Sequence, residues 1–143
     1  MGSRSAAEML GLPVRLHDIR LGRPVDLLLD AAGHRVLGFV VVNGDDAHRF
    51  LPFAASQTGD HEIAVASALM LLDDVGFYRK RGLSFRSLVG TDIVRGGVAV
   101  GTLVDILVGK SGEVDELEVD ARGTSLRVPA MGSVVTPPAA TAA

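Results

Sequence analysis

Apolar residues along this chain come in short runs separated by turn-forming residues. Val25-Asp26-Leu27-Leu28-Leu29 is parted from Val36-Leu37-Gly38-Phe39-Val40-Val41-Val42 by Asp30-Ala31-Ala32-Gly33, and Asn43-Gly44-Asp45-Asp46 leads on to Phe50-Leu51-Pro52-Phe53. Thr58-Gly59-Asp60 precedes Ile63-Ala64-Val65, and the same grammar returns at Lys110-Ser111-Gly112 and Ala121-Arg122-Gly123-Thr124. Strands at this spacing, punctuated by Gly, Asn and Asp, predict an all-β sandwich or small barrel. Successive side chains of a strand point to opposite faces, so Val25, Leu27 and Leu29 share one side and Asp26 and Asp30 the other. Leu28 then falls between the two aspartates, as an apolar residue on the outer face.

The runs are also duplicated. Sliding the chain on itself by 79 residues aligns 10–33 with 89–112 without a gap. Identical columns are Gly11/Gly90, Gly22/Gly101, Val25/Val104, Asp26/Asp105, Leu28/Leu107 and Gly33/Gly112. Aliphatic residues pair in six more: Leu10/Val89, Val14/Ile93, Ile19/Val98, Leu21/Val100, Leu27/Ile106 and Leu29/Val108. Beyond the hairpin the offset drifts to 78 (Val36/Val114, Phe39/Leu117, Val41/Val119) and then to 77 (Pro52/Pro129), as single-residue trims in turns would produce. Leu28 and Leu107 are equivalent, and Leu103 joins Leu107 on one side of its strand. Leu28, Leu103 and Leu107 are therefore the candidate interface, with three coverings open: the other repeat, a second chain, or the connecting segment.

The second copy is the looser one. Glu113, Asp115, Glu116, Glu118 and Asp120 surround its central strand, and Val114 has the wrong parity for Leu117 and Val119, which predicts a bulge or register shift. The chain divides into a flexible N-terminus (1–9), a first module (10–66), a helical connector (67–83), a second module (84–136) and a disordered tail (137–143). In the connector Ser67 suits an N-cap, Leu69, Leu72 and Val75 follow at helical spacing, Gly82 suits the C′ position, and Gly76 allows a kink. A module of about 55 residues buries only about 60% of its unfolded surface, so the two are expected to pack on each other or on another chain.

Composition narrows the class. With 48% hydrophobic and 22% charged residues, the chain of 143 is expected to be globular. A formal charge of −3 weighs against nucleic acid as the main partner. The absence of cysteine excludes disulfides and thiolate chemistry. The longest apolar runs fall far short of the roughly 18 residues that span a bilayer, and no signal-peptide core follows Met1. A cytoplasmic protein is expected, with peripheral association to a membrane complex left open. The 17 glycines, about 12% of the chain, mostly stand singly at the ends of strands, as hairpins require.

The order of these strands resembles the PRC-barrel family, the small β-barrel shared by the cytoplasmic domain of the photosynthetic reaction-centre H subunit and the C-terminal domain of the 30S ribosome-maturation factor. The residues that carry the likeness are Leu21-Gly22-Arg23-Pro24-Val25-Asp26-Leu27-Leu28-Leu29-Asp30, Gly33 through Val41 and Phe50-Leu51-Pro52-Phe53. Val100 through Val108, Gly112-Glu113-Val114 and Leu126-Arg127-Val128-Pro129 repeat them. The resemblance implies a mainly β fold of two small antiparallel barrels joined by a short helical connector. It also implies a binding or assembly module, and it carries no active site across.

Candidate chemistry is thin. His17, His34, His48 and His61 lie at predicted turns of different hairpins, three of them beside carboxylates, so a metal or small-ligand site would need those loops to converge at one barrel mouth. Arg95-Gly96-Gly97-Val98-Ala99-Val100-Gly101-Thr102 lacks the lysine of a phosphate loop and leads into a strand, which makes it a hairpin turn. Ser56, Ser67, Ser84, Ser87 and Ser125 have no motif of a nucleophile around them. Asp73-Asp74 reads as helix-terminal charge. Tyr78-Arg79-Lys80-Arg81 is the densest positive stretch; basic residues in the last turn of a helix complement its dipole, and they also form a weak basic patch. The expectation is a non-enzymatic protein-binding or assembly module without cofactor or metal, forming a homodimer and binding a further protein. A ribosome- or RNA-associated factor is the alternative, and a ligand or metal binder at a barrel mouth is the weaker one.

Overall fold

A computed structural model describes residues 3–136. The chain begins with β1 (Arg4–Ser5), α1 (Ala6–Met9), β2 (Val14–Leu16), β3 (Ile19–Leu29), β4 (Val36–Asn43) and β5 (His48–Pro52). A 3-10 turn at Phe53–Ala55 leads to β6 (Ser56–Thr58) and β7 (Ile63–Val65). Then follow a 3-10 turn (Ala68–Met70), α2 (Val75–Arg81), β8 (Leu83–Ser84), α3 (Phe85–Leu88), β9 (Asp92–Arg95), β10 (Val98–Val108), β11 (Val114–Ala121), β12 (Thr124–Pro129) and β13 (Ser133–Val135). The molecule is mainly β, with two sheets rich in antiparallel pairs, one of them curled into a half-barrel. The first runs β5-β4-β3-β2-β7-β6 and the second β12-β11-β10-β9-β13. The β2–β7 pair is parallel.

Both sheets are built on one plan. In the first, Leu28 faces Gly38, which faces Pro52, and Val40 faces Phe50. In the second, Leu107 faces Glu116, which faces Pro129, and Glu118 faces Arg127. Even the irregularities match: the register shifts between Pro24 and Asp26 and between Leu28 and Leu29 recur between Leu103 and Asp105 and between Leu107 and Val108. The last of these is the bulge that the parity of Val114 required, and with it Val114, Leu117 and Val119 all reach the core.

The repeats exchange their opening segments. β1 pairs with β10, Ser5 opposite Leu107, whereas β8 pairs with β3, Ser84 opposite Leu28. Ser5 and Ser84 are N-caps of the short helices that follow. Each hydroxyl also donates to an aspartate of the other repeat, Ser5 to Asp105 and Ser84 to Asp26. Asp26 further accepts the N–H groups of Leu27 at 2.8 Å and Arg86 at 3.2 Å; Asp105 accepts those of Ile106 at 2.8 Å and Ala7 at 3.1 Å. The identical column Asp26/Asp105 therefore marks a reciprocal lock, and Asp26, expected on an outer face, is only 6% exposed because it serves three donors. At the turns a second exchange joins the repeats: Val36 N–H donates to the Gly112 carbonyl at 2.7 Å and Val114 N–H to that of His34 at 2.8 Å.

One hydrophobic core is shared by both repeats. Met9, Leu27, Phe39 and Leu51 of the first repeat belong to the same cluster as Leu88, Ile93, Leu103, Ile106 and Leu117 of the second. The N-terminal segment, expected to be flexible over 1–9, instead forms β1 and α1, with Ala6 and Met9 buried, because the second repeat needs a strand and a cap from outside itself. The expected disorder of 137–143 lies outside the described residues.

The repeated glycines have two causes. Gly33 and Gly112 take φ of 74° and 90° in turns, the conformation glycine adopts without steric cost. Gly22 and Gly101 instead lie inside long strands, where a Cβ would meet the facing carbonyls of Val42 and Asp120. The connector also differs from its expectation. Ser67 caps only the 3-10 turn, Leu69 is 86% exposed, and helix begins at Val75, capped by Asp74, whose carboxylate accepts the Phe77 N–H at 3.1 Å. Gly82 has an extended backbone; a side chain there would press on the Leu29 carbonyl at 2.6 Å.

Candidate functional site

The residues proposed from sequence as an interface lie inside one chain. Leu28 is 1% exposed because the connector covers it: Leu28, Val40 and Phe50 on the outer face of the first sheet pack against Leu72, Val75 and Tyr78. Tyr78 stacks on Phe50 with ring centroids 3.9 Å apart, and Leu72 bridges to Phe50 by backbone hydrogen bonds of 2.8 Å in both directions. Leu103 belongs to the shared core, and Leu107 is buried on the strand that receives β1. All three leucines of the expected interface are thus buried within the one chain, at 1%, 1% and 7% exposure for Leu28, Leu103 and Leu107.

The basic patch divides in the same way. Tyr78 serves packing, while Arg79, Lys80 and Arg81 are exposed, Lys80 on the side away from the first sheet and Arg79 and Arg81 on opposite flanks. Arg81 lies 4.1 Å from the centroid of the Phe77 ring, itself 44% exposed, and Asp74, Phe77, Lys80 and Arg81 border a shallow hollow.

The four histidines sit at four separate places along the first repeat. His17, at positive φ, turns the β2–β3 hairpin, His34 lies in the β3–β4 turn, His48 opens β5 and His61 sits in the β6–β7 turn. Among the described residues no group of three or more His, Asp or Glu side chains could hold a metal ion. Arg95-Gly96-Gly97-Val98 forms the β9–β10 hairpin, both glycines at positive φ. Asp73 and Asp74 are accounted for by an ion pair with Arg49 and the helix cap. Arg49 also pairs with Asp45 at 3.2 Å; the Ala47 N–H first, and Arg49 after it, hold the Asp45 carboxyl below its ordinary pKa.

Two features were not foreseen. The first is a cleft of about 850 Å³ between the repeats, with Met9, Phe53 and Val108 in its floor and the Arg4–Asp60 pair, at 3.1 Å, at its side. Glu8, Glu62 and Lys110 line it as well, a mixed set of charges, together with Ser3, whose hydroxyl donates to Asp115, and with Ser56 and Thr58. The second is the outer face of the second sheet. At the positions where the first sheet presents Gly38, Val40 and Phe50 to α2, it presents Glu116, Glu118 and Arg127, with Asp120 next along β11. Glu116 and Glu118 are half-buried, Asp120 and Arg127 exposed, and no helix among the described residues lies over them. The signal was available in the sequence, since these carboxylates mark where the second copy departs from the first.

No protein-family model matches the chain, and no curated protein matches it. No helix among the described residues is long and apolar enough to cross a membrane.

Proposed function

We propose that the chain is a non-enzymatic protein-binding module made of two interlocked PRC-barrel-like repeats, and that it binds through the outer face of its second sheet. One observation carries this reading: two faces built on the same register differ, one apolar and sealed by α2, the other charged and, among the described residues, without a covering helix. A sheet face that serves only to fold needs no more than solvation, yet here Glu116, Glu118 and Asp120 project from one side of a single strand, as the alternation of side chains dictates. Rows of one charge on a rigid strand favour recognition of an oppositely charged surface and reject like-charged ones.

The test is a comparison of baits. E116K/E118K changes solvent-accessible charge and should keep the thermal midpoint of the wild type. In affinity purification from the native cell, proteins held by the wild type and released by E116K/E118K are expected. Identical captured sets from the two baits would overturn the assignment of this face.

A further inference from the structure

The occupant of that face can be argued from the molecule's own symmetry. In the first sheet the face made by Leu28, Val40 and Phe50 is covered by a helix, so the frame accepts a helix at this place. In the second sheet the equivalent exposed positions are Glu118 and the facing Arg127, flanked along β11 by Glu116 and Asp120, so the β11 row favours a basic helix. The chain holds such a helix. Val75 and Tyr78 occupy the side of α2 turned to the first sheet, while Phe77, Lys80 and Arg81, at i, i+3 and i+4, share another side and are exposed together with Arg79.

We infer that a second copy of this chain is the occupant: α2 of each protomer lies on the outer face of the β10–β11–β12 sheet of its partner, its Lys80 and Arg81 opposite the row Glu116, Glu118 and Asp120. The arrangement is reciprocal, so a two-fold axis closes it as a dimer and leaves no open end for further growth. Each α2 is then enclosed between two sheets, its own and the partner's, and Phe77 loses its exposure. This rests on the reading of the second sheet's outer face as a protein-binding surface.

Light scattering after size separation of the full chain at micromolar concentration tests the inference. A dimer that dissociates as salt is raised is expected, since exposed charges are screened over about 10 Å at moderate ionic strength. K80E/R81E and E116K/E118K, each judged folded by an unchanged thermal transition, should each weaken dimerisation about a hundredfold through like-charge contacts. One chain carrying all four substitutions should dimerise again. A monomeric wild type, a dimer indifferent to both reversals, or a folded four-fold variant that stays monomeric would each overturn the inference. Were a monomeric wild type still to lose captured proteins on E116K/E118K, the second copy would be wrong and the binding face would stand; RNA held by Arg79, Lys80 and Arg81 of a monomer would likewise count against it.

Discussion

Removal of residues 1–9 is expected to unfold the chain. The deletion takes away β1 and α1 and with them Met9 and Ala6, 2% and 0% exposed in the shared core. A buried methionine contributes about 1.5–3 kcal/mol by transfer from water, and the cavity it leaves adds to the loss. Asp105 is deprived at the same time of the Ser5 hydroxyl and the Ala7 N–H, at about 1–3 kcal/mol for a polar group left without its partners. Together these reach about 5 kcal/mol, comparable with the whole stability of a small domain. Circular dichroism should show loss of the cooperative thermal transition. A truncated chain that melts within a few degrees of the wild type would mean that the N-terminal segment is an accessory and not part of the fold.

Asp26→Ala is expected to lose about 3 kcal/mol in urea unfolding. The carboxylate serves the Ser84 hydroxyl and the N–H groups of Arg86 and Leu27, so its removal strands three donors where α3 meets β3. Asp26→Asn keeps an acceptor for the backbone donors and should lose only about 1 kcal/mol, the scale of one ordinary hydrogen bond. Asp105→Ala, at a partly buried site, should fall between them. Equal and negligible losses for Asp26→Ala and Asp105→Ala would show that the exchanged caps do not hold the repeats together.

The plan of the fold is written in the sequence more fully than its assembly. Short apolar runs bounded by Gly, Asn and Asp disclose β3, β4, β5, β10 and β11, because strand alternation and turn chemistry are local properties. The bulge beside Val114 is legible for the same reason: only a register shift lets Val114, Leu117 and Val119 face one core. The reciprocal exchange is not local. Between 5–9 and 84–88 the only identity is Ser5/Ser84, too short a signal to align, although it supplies both caps. Asp26 also defeats parity reasoning, since a carboxylate read as solvent-facing is buried by donors from 58 to 60 residues away.

The site was legible in part. Leu28 stood out as an apolar residue on an outer face, and connector cover was among the readings left open for it; which elements covered it could not be read, because α2 brings only Val75 and Tyr78 to that face. The acidic residues of β11 were visible as a departure between copies. Their meaning emerges only when the register sets Gly38, Val40 and Phe50 against Glu116, Glu118 and Arg127.

That the repeats are one interlocked unit is tested most directly by the ratio of calorimetric to van't Hoff enthalpy for the full chain under conditions where it is monomeric. Exchanged strands, reciprocal caps and one shared core leave neither repeat a way to persist after the other has opened, so a single transition with a ratio of about one is expected. Two transitions, or a ratio near two, would show repeats that fold independently and would contradict the account.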